Sequence, residues 1–93
     1  MKANEYIKQS GINKAKKGLK LCIDSGKELH VIHGGKIDLD DLKRLVDSHD
    51  LVEECGGLDK AKERVALEEK LPNPNVFYVL VVSGAIDDVE SCK

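Results

Sequence analysis

The feature that most constrains this 93-residue chain is an internal repeat built around glycine. Segments 4–16 and 49–62 share one order: a polar start, two adjacent apolar residues, a glycine, an apolar residue and then Lys-Ala-Lys. The second copy carries one extra residue, Gly57. Each copy predicts a helix, a glycine corner and a second helix. The small Ala15 and Ala61 would let the two helices of each corner approach closely.

The repeat sets the expected helix boundaries. The first corner predicts helices over 3–10 and 12–23. In the second corner Asp38 is suited to cap a helix over about 39–54, because its carboxylate can accept hydrogen bonds from the unpaired amides of the first turn. Apolar residues recur through that helix at helical spacing, together with one histidine: Leu42, Leu45, Val46, His49 and Val52. A further helix is expected over about 58–70, ended by the prolines that follow.

Two segments outside the corners complete the fold class. Residues 29–37 join a short apolar run to Gly34-Gly35 and predict a small extended hairpin that packs on the helices. Segment 76–82 has the composition of a buried strand. Its helical stripe, with Asn73-Pro74 as cap and first helical position, favours an apolar C-terminal helix over about 75–91, with a strand as the alternative. The prediction is a mainly α single domain spanning 1–93.

Composition narrows the classes of function. Apolar residues make up 41% and charged residues 34% of the chain, which is enough apolar surface for one folded domain. Two Tyr, one Phe and no Trp argue against an aromatic platform for single-stranded nucleic acid. The longest apolar run, 76–86, is too short to span a membrane. The polar start of the sequence argues against a secretory signal, so the predicted location is the cytoplasm.

The sequence predicts no catalytic residue, no cofactor site and no metal site. His30 and His33 stand three apart, between Cys22 and Cys55 in sequence, without the paired spacing of structural zinc ligands. Adjacent carboxylates such as those at 53–54 point about 100° apart on a helix, so they do not form an acid–base dyad. The cysteines are odd in number and are expected to be buried free thiols.

Charge is unevenly distributed along the chain. Residues 1–36 carry eight lysines against three acidic residues, a net charge of +5, whereas residues 37–93 carry seven basic and fourteen acidic residues, a net charge of -7. The favoured interpretation is that the two halves attract each other across the fold. The other is a basic surface for a polyanion or an acidic partner. Its candidate nucleic-acid residues are Lys14, Lys16, Lys17 and Lys20.

Two stretches resemble small accessory proteins encoded by lambdoid bacteriophages and prophages of enteric bacteria. They are Leu-Val-Glu-Glu-Cys-Gly-Gly-Leu-Asp-Lys-Ala-Lys, within the similar region 42–62, and Ala-Ile-Asp-Asp-Val-Glu-Ser-Cys at 85–92. Residues 4–8 also fit. The resemblance implies a bacterial host cytoplasm and an interaction with a host or phage protein, and it carries no catalytic residue over.

The predicted function is therefore non-enzymatic binding to an unidentified host or phage protein. Homodimer formation through the apolar C-terminal segment is a further expectation. The alternative is a small helix-turn-helix-like DNA-binding regulator, in which the basic second helix of the first corner would lie along phosphates. The net charge of -2 and the lack of arginine in that helix argue against this alternative.

Overall fold

Helices account for most of the chain in the computed structural model, which describes residues 1–31 and 35–93. Those residues contain five helices and a two-stranded antiparallel hairpin. In chain order the elements are α1 Ala3–Ser10, α2 Ile12–Ser25, β1 Leu29–Val31, β2 Gly35–Ile37, α3 Leu39–Glu54, α4 Leu58–Glu69 and α5 Val76–Ser91. The predicted fold class, a small and mainly helical single domain, is confirmed.

In both corners the glycine N–H donates a backbone hydrogen bond to the preceding helix, four residues back in the first corner and five residues back in the second. The N–H of Gly11 donates to the carbonyl of Ile7 at 2.8 Å, and the N–H of Gly57 donates to the carbonyl of Val52 at 3.0 Å. The two glycines have φ angles of 87° and 110°. Residues that carry a Cβ atom rarely adopt φ angles in this range, so a glycine is needed at each corner.

The repeated alanines occupy the same position in the two corners, at the end of the first turn of the second helix. The N–H of Ala15 donates to the carbonyl of Gly11, and the N–H of Ala61 donates to the carbonyl of Gly57. Both alanines are completely buried. Their full burial leaves no exposed side-chain surface at either position, and the close approach of the two helices stays a prediction.

The first corner ends slightly later than predicted. Gly26 adopts a left-handed conformation and its N–H donates to Cys22, so α2 continues to Ser25 rather than residue 23. Gly18, inside α2, has a packing role. A Cβ built there would lie 3.2 Å from the hydroxyl oxygen of Tyr6, so α1 packs closely against α2 at this position.

The predicted hairpin forms between β1 and β2. Leu29 pairs with Ile37 and His30 with Lys36. Gly35 was expected in the turn, but it begins β2 and pairs with Val31. The other residues predicted for this hairpin, 32–34, lie outside the described part of the chain.

The start of α3 has the predicted cap. One carboxylate oxygen of Asp38 accepts hydrogen bonds from the N–H groups of Asp40 at 2.9 Å and Asp41 at 3.2 Å. Ile37 just before the cap and Leu42 in the first turn are both completely buried. The cap and this apolar pair together set where α3 begins.

The C-terminal segment is helical, so the strand alternative is wrong. The predicted cap at Asn73 is also wrong, because Asn75 occupies that position. The side-chain oxygen of Asn75 accepts a hydrogen bond from the N–H of Tyr78 at 3.1 Å. The N–H of Asn75 donates to a carboxylate oxygen of Glu68 at 2.8 Å, so α4 helps to set where α5 begins.

Two apolar clusters follow one another along an elongated molecule of 50 × 23 × 18 Å. The first cluster joins α1, α2, β2, the first half of α3 and Cys92. The second joins the end of α3 to Ala61 and to the α5 residues between Val82 and Val89. The radius of gyration is 15.0 Å, against about 12 Å for a compact chain of this length. The end of α4 and the start of α5 lie largely outside both clusters.

Cys22, Cys55 and Cys92 are buried free thiols, as predicted. In the described residues, no helix has the length and apolar character needed to cross a membrane.

Candidate functional site

The four candidate nucleic-acid lysines all lie on α2, but their surroundings differ. Lys14, Lys17 and Lys20 are exposed and follow one another at i, i+3 spacing. Lys16 lies at the edge of this row, with its ammonium nitrogen 2.6 Å from a carboxylate oxygen of Asp50 on α3. This hydrogen bond raises the pKa of Lys16. Three of the lysines therefore face solvent, while the fourth links α2 to α3.

Acidic residues border this basic row. Asp50, Glu53 and Glu54 line one surface depression on α3. The negative charge of Glu53 also contributes to the raised pKa of Lys16, so the acidic surface is close to that lysine. A nucleic-acid phosphate approaching Lys16 would meet repulsion from these carboxylates. The Lys16–Asp50 ion pair joins residues 1–36 to residues 37–93.

Of the residues considered as metal ligands, Cys22, His30 and Cys55 do not form a metal-holding group. Cys22 lies in α2 and Cys55 follows α3, whereas His30 lies in the hairpin with its Nε2 3.2 Å from Glu28. His33 is outside the described part of the chain. Over residues 1–31 and 35–93 there is no group of three or more His, Cys, Asp or Glu side chains arranged to hold a metal ion.

A shallow groove runs between the two glycine corners and includes Lys16, His49 and Gly57 in its lining. Glu53 also lines this groove, and the other two ionisable side chains, Lys16 and His49, are already engaged. Lys16 binds Asp50, and the Nδ1 of His49 lies 2.8 Å from the carbonyl oxygen of Leu45, where it acts as a donor. Both side chains therefore have structural partners, and the groove contains no nucleophile–base pair.

Six of the eight exposed large apolar side chains in residues 1–31 and 35–93 lie around the end of the α4–α5 hairpin. We call the surface that they form the tip surface and define it by these six side chains: Leu67, Leu71, Val76, Phe77, Leu80 and Val81. Their exposed fractions run from 43% for Val81 to 77% for Phe77. Large apolar side chains on a monomer are seldom this exposed as a group, so the tip surface is the strongest candidate functional site.

The tip surface exists because the start of α5 is apolar on every side. Val82, Ala85, Ile86 and Val89 are buried against α3 and α4. The opposite side of the helix carries Val76, Phe77, Leu80 and Val81, which nothing in the described chain covers. A helix that is apolar all round is normally buried all round, so half of this segment lacks the cover that its composition requires.

The apolar surface continues from α5 onto α4. Leu67 and Leu71 line a shallow groove together with Asn75 and Tyr78 of the α5 start. Arg64 and Glu68 stand at its edge, one helical turn apart and with opposite charges. No charged residue occurs between 71 and 86. The site thus has an apolar centre and a charged margin, the composition of a protein interface.

Sequence reasoning identified only part of this site. The apolar C-terminal segment was expected to contribute to binding, but Leu67 and Leu71 were not recognised. Leu67 lies off the stripe of α4 formed by Leu58, Ala61 and Val65, and Leu71 follows the end of that helix. The position of Leu67 off the stripe was the available signal. A search of protein-family models, curated proteins and solved structures finds no match to this chain.

Proposed function

We propose that this chain is a non-enzymatic accessory protein of the bacteriophage type that binds a host or phage protein in the bacterial cytoplasm. The tip surface is its binding site. The observation that carries the proposal is the exposure of six large apolar side chains on one end of the molecule. The resemblance of segments 42–62 and 85–92 to phage accessory proteins supports the biological setting.

The chemistry of the tip surface fits a protein partner. Phe77 and Leu80 project from a helix and can insert into apolar pockets, as the central anchors of protein interfaces do. The aliphatic residues around them exclude water, and Arg64 and Glu68 offer polar contacts at the margin. Binding of a partner to such a surface is favoured mainly because it removes apolar area from water.

The proposal is tested by comparing variants in a capture experiment. The tagged wild type is compared with Phe77→Ser/Leu80→Ser and with the control Leu21→Ser/Ile23→Ser, which removes exposed apolar residues from α2. Nuclease-treated enteric bacterial lysate supplies the candidate partners. We expect a protein that the wild type and the control retain and the tip variant loses. Calorimetry with that purified protein should then show direct binding weakened at least about 10-fold by the tip substitutions.

Equal capture by all three proteins would refute the assignment of the tip surface. Recovery of nucleic acid from a parallel untreated lysate, but not from the nuclease-treated one, would favour the second candidate function, DNA binding by α2. The exposed row of Lys14, Lys17 and Lys20 is the observation behind that candidate. Its signature is an affinity for duplex DNA that falls steeply with salt and drops further when these three lysines are replaced by alanine.

A further inference from the structure

We propose that, in the free protein, the tip surface pairs with the tip surface of a second copy of the same chain. The two α4–α5 hairpins would then close on each other as a four-helix bundle with two-fold symmetry. This inference rests on the proposed function in one respect, since both assign protein binding to the tip surface. The second copy covers the tip until the partner protein displaces it.

The exposed area fits this pairing. Scaled by their exposed fractions, the six side chains present on the order of 600 Å², against about 800 Å² per partner for a standard stable interface. Residues at the margin, including Arg64, Tyr78 and Asn75, would supply the remainder. Homodimer interfaces also have more apolar cores than interfaces between transient partners, and the tip has such a core.

The charges of the hairpin are compatible with self-association. A two-fold axis brings each surface against an identical one, so a surface with a single sign of charge would repel its copy. Residues 71–86 carry no charge, and the nearest charged groups on the groove, Arg64 and Glu68, have opposite signs. An interfacial membrane helix would instead carry a lysine- and arginine-rich polar face, and the end of α4 includes Glu68 and Glu69.

Gly84 gives independent support for a close helix partner. It follows Leu80 by one turn on the same outer face of α5, and glycine is unfavourable inside a helix relative to alanine. A Cβ built at Gly84 meets nothing within 4 Å, so the packing of the single described chain does not require glycine there. The absence of a side chain allows the backbone of a second helix to approach at this position.

The test compares two leucines with nearly equal exposure. Leu80, in the tip surface, is 67% exposed, and Leu21, on α2, is 69% exposed. The wild type, Leu80→Glu and Leu21→Glu are measured by sedimentation and light scattering from micromolar to submillimolar concentration, with circular dichroism to check helix content. We expect wild type and Leu21→Glu at twice the 10.2 kDa mass of one chain. Leu80→Glu should raise the dimer dissociation constant about 100-fold or more.

A wild type that stays monomeric throughout would overturn the inference, as would a Leu80→Glu protein as dimeric as Leu21→Glu. If Leu80→Glu loses helix content, Gly84→Gln replaces it, because the position faces open space in the single chain. A weakened dimer then supports the pairing and an unchanged dimer refutes it. Leu80-dependent flotation of a monomeric protein with phosphatidylglycerol–phosphatidylethanolamine vesicles would refute it in favour of a membrane.

The failures of the two proposals are distinguishable. A monomeric wild type whose tip captures another protein refutes the pairing and leaves the proposed function standing. A Leu80-dependent dimer with no tip-dependent capture of another protein supports the pairing and refutes the proposed function.

Discussion

The ammonium nitrogen of Lys16 lies 2.6 Å from a carboxylate oxygen of Asp50 and so joins the first copy of the repeat to the second. Lys62 occupies the equivalent position in the second copy, and its nitrogen lies 2.8 Å from Glu90 on α5. In each copy the last lysine of Lys-Ala-Lys therefore contacts the helix packed beside the corner. The lysine is common to both copies, whereas its acidic partner comes from a different part of the fold in each.

Replacing Lys16 should affect stability, whereas replacing Lys17 should not. Lys16→Met removes the partner of Asp50, while Lys17 is exposed and makes no ion pair within the described residues. Because the pair is partly solvent-exposed, we expect a loss of about 0.5 kcal/mol in the free energy of unfolding. Urea denaturation of Lys16→Met, Asp50→Asn and the double variant Lys16→Met/Asp50→Asn measures the coupling energy between the two side chains. A coupling energy of zero would show that the pair contributes nothing.

Enlarging the buried alanine of the second corner should destabilise the fold. Ala61→Leu forces a larger side chain into a completely buried position, and overpacking of this kind costs about 1–3 kcal/mol. Ala66→Leu, an exposed position of the same helix, is the control and should change stability little. Chemical denaturation measures both. Equal stability of the two variants would contradict the close approach at the corner.

Removing the cap of α3 should lower stability by about 1 kcal/mol. Asp38→Ala leaves the N–H groups of Asp40 and Asp41 without their side-chain acceptor. Asp47→Ala changes an exposed aspartate later in the same helix and controls for the loss of one negative charge. Thermal unfolding at neutral pH compares the two. The cap has no energetic role if Asp38→Ala melts with the control.

The Lys62–Glu90 pair should give stability a dependence on acid pH. The hydrogen bond that Glu90 accepts from Lys62 lowers the pKa of the Glu90 carboxyl below its ordinary value. A carboxyl with a lowered pKa in the folded state contributes stability above its unfolded pKa, and this contribution is lost as pH falls through the folded pKa. Melting temperatures from neutral to strongly acid pH should therefore fall more for the wild type than for Glu90→Gln. Parallel curves would show that the pair has no effect on stability.

Much of the fold could be predicted because its signals are local. Glycine is required at 11 and 57 because the backbone there has positive φ angles. A small residue is required at 15 and 61 because these positions are completely buried. Asp38 is favoured because its carboxylate accepts hydrogen bonds from the amides that follow it. A strand over 76–82 is also compatible with the local sequence, because the choice between strand and helix there depends on contacts with distant parts of the chain. Local β-propensity contains no information about α3 and α4, and the helical stripe of α5 is buried against those two helices. The position of the α5 cap likewise depends on Glu68, which lies in a different helix.

The sequence by itself determined the two corners, the cap of α3 and the apolar composition of α5, since each follows from residues close together in the chain. Only the tertiary structure decided which apolar residues remain uncovered. Leu67, Phe77 and Leu80 are as apolar as the buried residues near them, and burial depends on which surfaces meet. The same holds for Lys16, whose role was set by the approach of Asp50 from a separate helix.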